Sequence, residues 1–210
     1  MVIPSGWGSR WSCDHRPVNP AQGVQCRPER PDETGDIARV VADAFGDESV
    51  AELVHRLRSS PEWIDGCSFV AMAGGGVVGH IAFSHGLLDA PRRLVDVLVL
   101  SPVSVATAHR GRGIGSALIR YGLSALETRP EPLMFLEGSP TYYPRFGFEP
   151  AGDLGFRRPS LRIPDRAFQV IRLAPYEPWM MGTLVYSRVF WDMDAVGLRD
   201  ERDGAQPSRP

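Results

Sequence analysis

Lysine is absent from this 210-residue chain, so every one of its 23 Lys and Arg positions is arginine. A P-loop needs a lysine after its second glycine to reach the outer phosphates, and that class of nucleotide site is excluded. Cysteine is scarce. Cys13, Cys26 and Cys67 are odd in number and scattered, which makes no disulfide framework. Cys13, His15 and Cys26 fit no common zinc spacing, and no metal is expected. The formal net charge of −2 gives no support to a general nucleic-acid binder. No apolar run approaches membrane-spanning length, and the first residues lack the charged-then-apolar pattern of a signal peptide. The expected partners therefore include neither nucleic acid nor membrane, and the expected compartment is the cytoplasm.

What is present is ordinary globular material, 43% apolar and 23% charged, in a length that suits one well-buried domain. Residues 1–22 are rich in Pro, Gly, Ser and Arg without periodicity and read as a loose tail. Residues 23–192 carry the periodic pattern of a single domain. Residues 193–210 are charged and Pro-containing, and read as a loose end.

The chain is organised around residues 103–118. Val103, Ser104 and Val105 end an apolar strand. Arg110-Gly111-Arg112-Gly113-Ile114-Gly115 then places three glycines at alternate positions before a helix marked by Ile114, Leu118, Tyr121 and Ala125. A strand that turns through glycine into a helix leaves unpaired N–H groups, including that of Ser116, at the positive end of the helix dipole. Glycine lets a ligand approach the backbone closely. Arg110 and Arg112 add positive charge. The pattern predicts an anion site suited to phosphate or diphosphate. A dinucleotide fingerprint fits poorly. Counting from Gly111 its third glycine position holds Ser116, counting from Gly113 it holds Leu118, and the turn comes after several strands.

Ile37, Val40, Val41 and Ala44 predict a helix closed by Gly46, and Val50, Leu53, Val54 and Leu57 a second one closed by Pro61. Strands are expected at 24–28, 67–73 and 77–84, with Gly74-Gly75-Gly76 as the hairpin turn between the last two. A loop is expected at 87–91. The longest apolar strand spans 94–106, and Pro102, which has no N–H, predicts a bulge in it. The strand at 132–138 follows a helix and should lie parallel to 94–106. Ser139 reads as the N-cap of a brief helix with Pro140 first and Pro144 in its second turn. Residues 152–164 look irregular, 167–173 strand-like, and 183–191 alternate as a covered strand.

The hexamer Arg110 to Gly115 resembles the acyl-CoA signature [Q/R]-x-x-G-x-[G/A] of the GCN5-related N-acetyltransferase (GNAT) superfamily. Downstream, Tyr142-Tyr143-Pro144-Arg145-Phe146-Gly147-Phe148 is similar to the family's Y-x-x-x-G-F segment, with Tyr143 four residues before Gly147. The paired tyrosines and Phe-Gly-Phe look most like the YhbS-like bacterial group, and the similarity runs from about Val24 to Asp192. The resemblance implies an α/β (α+β) GNAT fold. That fold is a mixed, mostly antiparallel twisted sheet with a splayed parallel strand pair, flanked by about four helices. The resemblance also implies that acetyl-CoA is the cosubstrate and a primary amine the acceptor. Its diphosphate would lie on Arg110, Gly111, Arg112, Gly113, Ile114, Gly115 and Ser116. Amides around Val103, Ser104 and Val105 would polarise the thioester, and Tyr143, with Tyr142 as second choice, would protonate the leaving thiolate. The two helices before residue 61 would wall the acceptor. Asp96, Glu137, His80 and His85 are the candidate bases, with a water chain as the alternative. A non-catalytic acyl-CoA-binding or sensing module is the rival reading, and a homodimer is left open.

Overall fold

The computed structural model describes residues 23–198. The expected loose N-terminal tail, with Cys13 and His15, lies outside the described residues, as does 199–210.

Two helices open the domain. In α1 (Thr34–Phe45), Ile37, Val40 and Val41 form the buried stripe, and Gly46 at φ 69° ends it with its N–H on the Ala42 carbonyl at 2.8 Å. In α2 (Glu48–Arg58), the Asp47 carboxylate caps the first turn by accepting from the Ser49 N–H at 2.8 Å. Its last turn carries His55, Arg56 and Arg58, the charge that the carbonyl end favours.

The strands are β1 (Gln25–Pro28), β2 (Trp63–Ala73), β3 (Gly76–Asp89), β4 (Leu94–Val105), β5 (Leu133–Glu137), β6 (Glu149–Pro150), β7 (Phe168–Arg172) and β8 (Thr183–Val185). They form one sheet in the order β1-β2-β3-β4-β5-β7-β6, with β8 added on β3. Every pairing is antiparallel except β4 with β5, as the intervening helix α3 (Ile114–Ala125) requires.

The period of two sorts apolar side chains to two faces. Phe69, Ile81, Phe83, Leu98, Leu100, Met134 and Leu136 pack with Ile114, Leu118 and Ile119 of α3. Val97, Val99, Leu133 and Phe135 pack on the other face with Leu53 and Leu57 of α2.

Pro102 does mark a bulge. Ile81 pairs with Val103 and Phe83 with Leu100, so two steps on β3 oppose three on β4. The Ser101–Pro102 peptide is cis. The parallel ladder holds only Leu98 with Met134 and Val99 with Phe135. Beyond it β4 stays with β3 and β5 stays with β7, and a gap opens between them.

Several boundaries differ from the expectation. The loop foreseen at 87–91 is strand as far as Asp89, because β4 pairs with this stretch on one side and β8 on the other. β2 starts earlier, at Trp63, across an irregular register. The strand expected over 183–191 stops at Val185. Tyr186 and Phe190 are four residues apart and can share one face of a helix, and α4 (Arg188–Asp192) forms with Ser187 accepting from the Val189 N–H at 3.3 Å. The brief helix after Ser139 is a turn followed by a 3-10 helix, Tyr143–Phe146, and Pro144 stands near its start, where a missing N–H costs little. The expected loose end from Met193 is tied down through residue 198. Val196 is fully buried, and the Leu198 N–H reaches the Arg162 carbonyl at 3.1 Å.

Candidate functional site

At the end of β4 the chain makes a 3-10 turn at Thr107–His109 and reaches the glycines. Gly111 has φ 73° and Gly113 φ 76°, a region that costs other residues strain. A Cβ on either would meet nothing within 4 Å, so it is the backbone angle, not crowding, that asks for glycine. Gly113 is the N-cap of α3 and supplies no side-chain acceptor, and the first turn of α3 holds no acidic residue. The N–H groups of Gly111, Arg112, Gly113, Ile114, Gly115 and Ser116 find no acceptor among the described residues. This is an exposed, uncapped helix N-terminus whose donors and dipole both call for an anion.

The two arginines separate. Arg112 has no hydrogen bond or ion pair among the described residues and remains available beside the turn. Arg110 donates to the Ala44 carbonyl at the end of α1. Nearby, the Asp43 carboxylate accepts from the Thr107 N–H at 2.6 Å, and the Thr107 hydroxyl donates to the Asp43 carbonyl at 3.2 Å. These contacts span 64 to 66 residues, so no local pattern announced them.

The gap begins where β5 leaves β4. The Ala106 N–H bonds the Val78 carbonyl on β3 at 2.9 Å. Donors alternate along a strand, so the amides of Val103 and Val105 point toward the gap and that of Ser104 toward β3. Ser104 is buried, and its hydroxyl donates to the His80 carbonyl at 3.4 Å. Of the three strand residues expected to polarise a carbonyl, Val103 and Val105 thus turn their amides toward the gap and Ser104 does not.

The tyrosines join the two sequence motifs. Tyr142 places its hydroxyl 3.2 Å from the Ser116 hydroxyl, at the head of α3, with the Arg145 guanidinium 4.8 Å above its ring. Tyr143 packs edge-on to Tyr142 and to Phe148. Burial pushes its phenol up to about 12, with Tyr142 adding to the shift.

The four candidate bases are dispersed. Asp96 pairs with Leu87 toward the start of β4, away from the gap. His80 is fully buried. Its Nε2 lies 2.9 Å from the Ser68 hydroxyl, and burial holds it below the usual imidazole range. His85 is half-buried with Nδ1 3.7 Å from Glu131. Glu137, at the end of β5, is raised by burial, bonds the Tyr186 hydroxyl, and accepts from the Gly197 N–H at 3.1 Å. Only Glu137 stands at the strand whose departure opens the gap. Among the described residues no His, Cys, Asp or Glu group could hold a metal ion, and no helix is long and apolar enough to cross a membrane.

A mixed sheet with one parallel pair, parted beyond a bulge and flanked by an uncapped glycine-turn helix, is the GNAT fold. The chain belongs to that superfamily: the family model for the acetyltransferase (GNAT) domain matches residues 25–151. Among curated relatives, the uncharacterized N-acetyltransferase YjhQ of Escherichia coli (strain K12) is 36% identical over 132 residues, 60% of this chain and 71% of YjhQ. The uncharacterized N-acetyltransferase YhbS of the same organism is 32% identical over 154 residues, 70% of this chain and 86% of YhbS. The solved structure of E. coli YhbS in complex with CoA aligns with TM-score 0.71 and 29% identity, covering 80% of this chain and 92% of that one. A GNAT family acetyltransferase from Brucella melitensis in complex with acetyl-CoA aligns with TM-score 0.64 and 32% identity, covering 80% and 97%.

Proposed function

We propose that this chain is an N-acetyltransferase that moves an acetyl group from acetyl-CoA to a primary amine by direct attack on the thioester. The observation that carries the reading is the row of unpaired amides from Gly111 to Ser116 beside the gap between β4 and β5. A diphosphate suits those donors, and Arg112 adds a free positive charge. Relatives with the same fold hold CoA and acetyl-CoA, which supports the same ligand here.

With the diphosphate on the turn, the pantetheine arm would run along β4 and pair with its free edge at Val103 and Val105. The neutral amine attacks the thioester carbon from the α2 side. The oxyanion gathers charge, and a gap-facing amide of β4 is the nearest donor. Collapse breaks the C–S bond, the thiolate takes a proton, and the amine's proton leaves to Glu137 or through water. Products are the amide and CoA.

Tyr143 is the family-matched donor of the thiolate's proton. Its raised phenol stays protonated at neutral pH, so it can act as a proton donor and not as a base. The rival reading is an acyl-CoA-binding module without turnover. Thiol release measured with acetyl-CoA and a panel of amines separates the two. Release with at least one amine supports the transferase. Tight CoA binding with no release by any amine supports the module.

A further inference from the structure

We propose that Asp43 is a positioning residue that presets the diphosphate-holding turn. The inference rests on the reading above, in which that turn holds the cosubstrate. The 3-10 turn at Thr107–His109 has no cap of its own, because Ala106 stands at its N-cap with no side-chain acceptor. Asp43 supplies that cap from a distant part of the chain, through the 2.6 Å bond from the Thr107 N–H. The Thr107 hydroxyl returns a bond to the Asp43 carbonyl, and Arg110, at the other end of the turn, reaches the Ala44 carbonyl. Both ends of the segment that leads into the glycines are thereby fastened to the last turn of α1. That helix is itself anchored by Ile37 and Val41 against Val70 of β2.

Asp43 is a poor choice for α1 alone. It sits in the last turn, where the dipole disfavours a carboxylate, and that turn has no basic residue to offset it. It is also a poor choice for an anion site by charge alone, since it places a negative group one short turn from the glycines. Its geometry accounts for both costs. The glycines at 111 and 113 are conformationally free, and a segment fixed at only one end would lose more freedom when a ligand orders its amides.

Charge and geometry predict opposite outcomes, which makes the test sharp. Asp43→Asn keeps an oxygen that accepts from the Thr107 N–H but removes the charge. Asp43→Ala removes both and raises helix propensity in α1, so folding is not endangered. CoA is titrated calorimetrically into the full chain and both variants, with acetyl-CoA kinetics and thermal midpoints alongside. We expect Asp43→Ala to weaken CoA binding roughly 5- to 20-fold and to raise KM for acetyl-CoA with kcat nearly unchanged, while Asp43→Asn stays within about twofold of wild type. The thermal midpoint of Asp43→Ala should change little, since the gain in helix propensity largely offsets the lost cap. Equal or tighter CoA binding by Asp43→Ala, or equal losses in both variants, would overturn the proposal while leaving the CoA site in place. Absence of CoA binding by the wild type would remove the underlying reading and the proposal together.

Discussion

Tyr143 lays its ring against the backbone of Gly138, so closely that a Cβ there would fall within 2.8 Å of the ring's Cδ2. Gly138 is the first residue past β5, and its carbonyl is held by the buried amide of Gln169 at 3.1 Å. The tyrosine is therefore positioned by the end of the strand that borders the gap. Gly138→Ala should displace the ring without touching the glycine turn. The expected result is a fall in kcat of roughly 10- to 100-fold, matching that of Tyr143→Phe, with CoA affinity within about threefold of wild type. Steady-state kinetics beside CoA titration checks this. Unchanged turnover in both variants would remove Tyr143 from the proton path and turn attention to Tyr142.

Gly122, having no side chain, lets helix α3 lie close to the sheet. A Cβ at that position would come within 2.7 Å of the Phe83 ring, which is fully buried. Alanine improves helix propensity by about 1 kcal/mol, but the buried ring would have to shift to admit it. Overpacking a rigid core costs about 1–3 kcal/mol. Gly122→Ala should therefore lose net stability, up to about 2 kcal/mol, seen as a lower urea midpoint. A more stable variant would show that the ring can shift.

A part-buried polar cluster beside α2 is expected to set the acid limit of stability. Glu29 bonds Arg58 at 2.8 Å and the Ser68 hydroxyl, and lies 3.5 Å from His80. Burial opposes its charge, but His80, Arg58 and Ser68 outweigh it and hold the carboxyl at about 2 instead of 4.5. A carboxyl depressed in the folded state stabilises the fold above its unfolded pKa, and the benefit fades as pH falls toward 2. His80, also depressed, adds a loss below about 6.5, where the unfolded chain gains a proton that the buried ring refuses. Thermal midpoints should therefore decline from about pH 6.5 downward, more steeply below about pH 4.5. Glu29→Gln should flatten the lower part of that curve. An unchanged slope in Glu29→Gln would place the acid sensitivity elsewhere.

What could be read from the sequence was governed by distance along the chain. The hairpin at Gly74-Gly75, the bulge at Pro102 and the turn into α3 are each encoded within a few residues, and all three are present. The extension of β3 to Asp89 was only half legible: its pairing with β4 is local, but β8, which covers its other edge, arrives about a hundred residues later. Alternation over 183–191 is a real pattern with two solutions, and the Ser187 cap together with the burial of Phe190 in the cluster beside α2 selects the helix for its second half. At the candidate site, the glycine turn was legible as backbone geometry, with positive φ at Gly111 and Gly113 and the helix beginning at Ile114. The turning of Arg110 toward α1 and the Asp43 cap were not, since neither partner lies near in sequence.

If the bare amides at the head of α3 grip a diphosphate, CoA affinity must follow the chemistry of residue 113. The most direct measurement is CoA affinity in wild type, Gly113→Ala and Gly113→Glu, by calorimetric titration of folded protein. Both substitutions place a side chain at φ 76°, so they share the same backbone strain, and open space surrounds either Cβ. Only glutamate brings a carboxylate to the anion position. Wild type should bind measurably, Gly113→Ala more weakly, and Gly113→Glu not at all. Equal affinity in Gly113→Ala and Gly113→Glu would contradict the diphosphate grip.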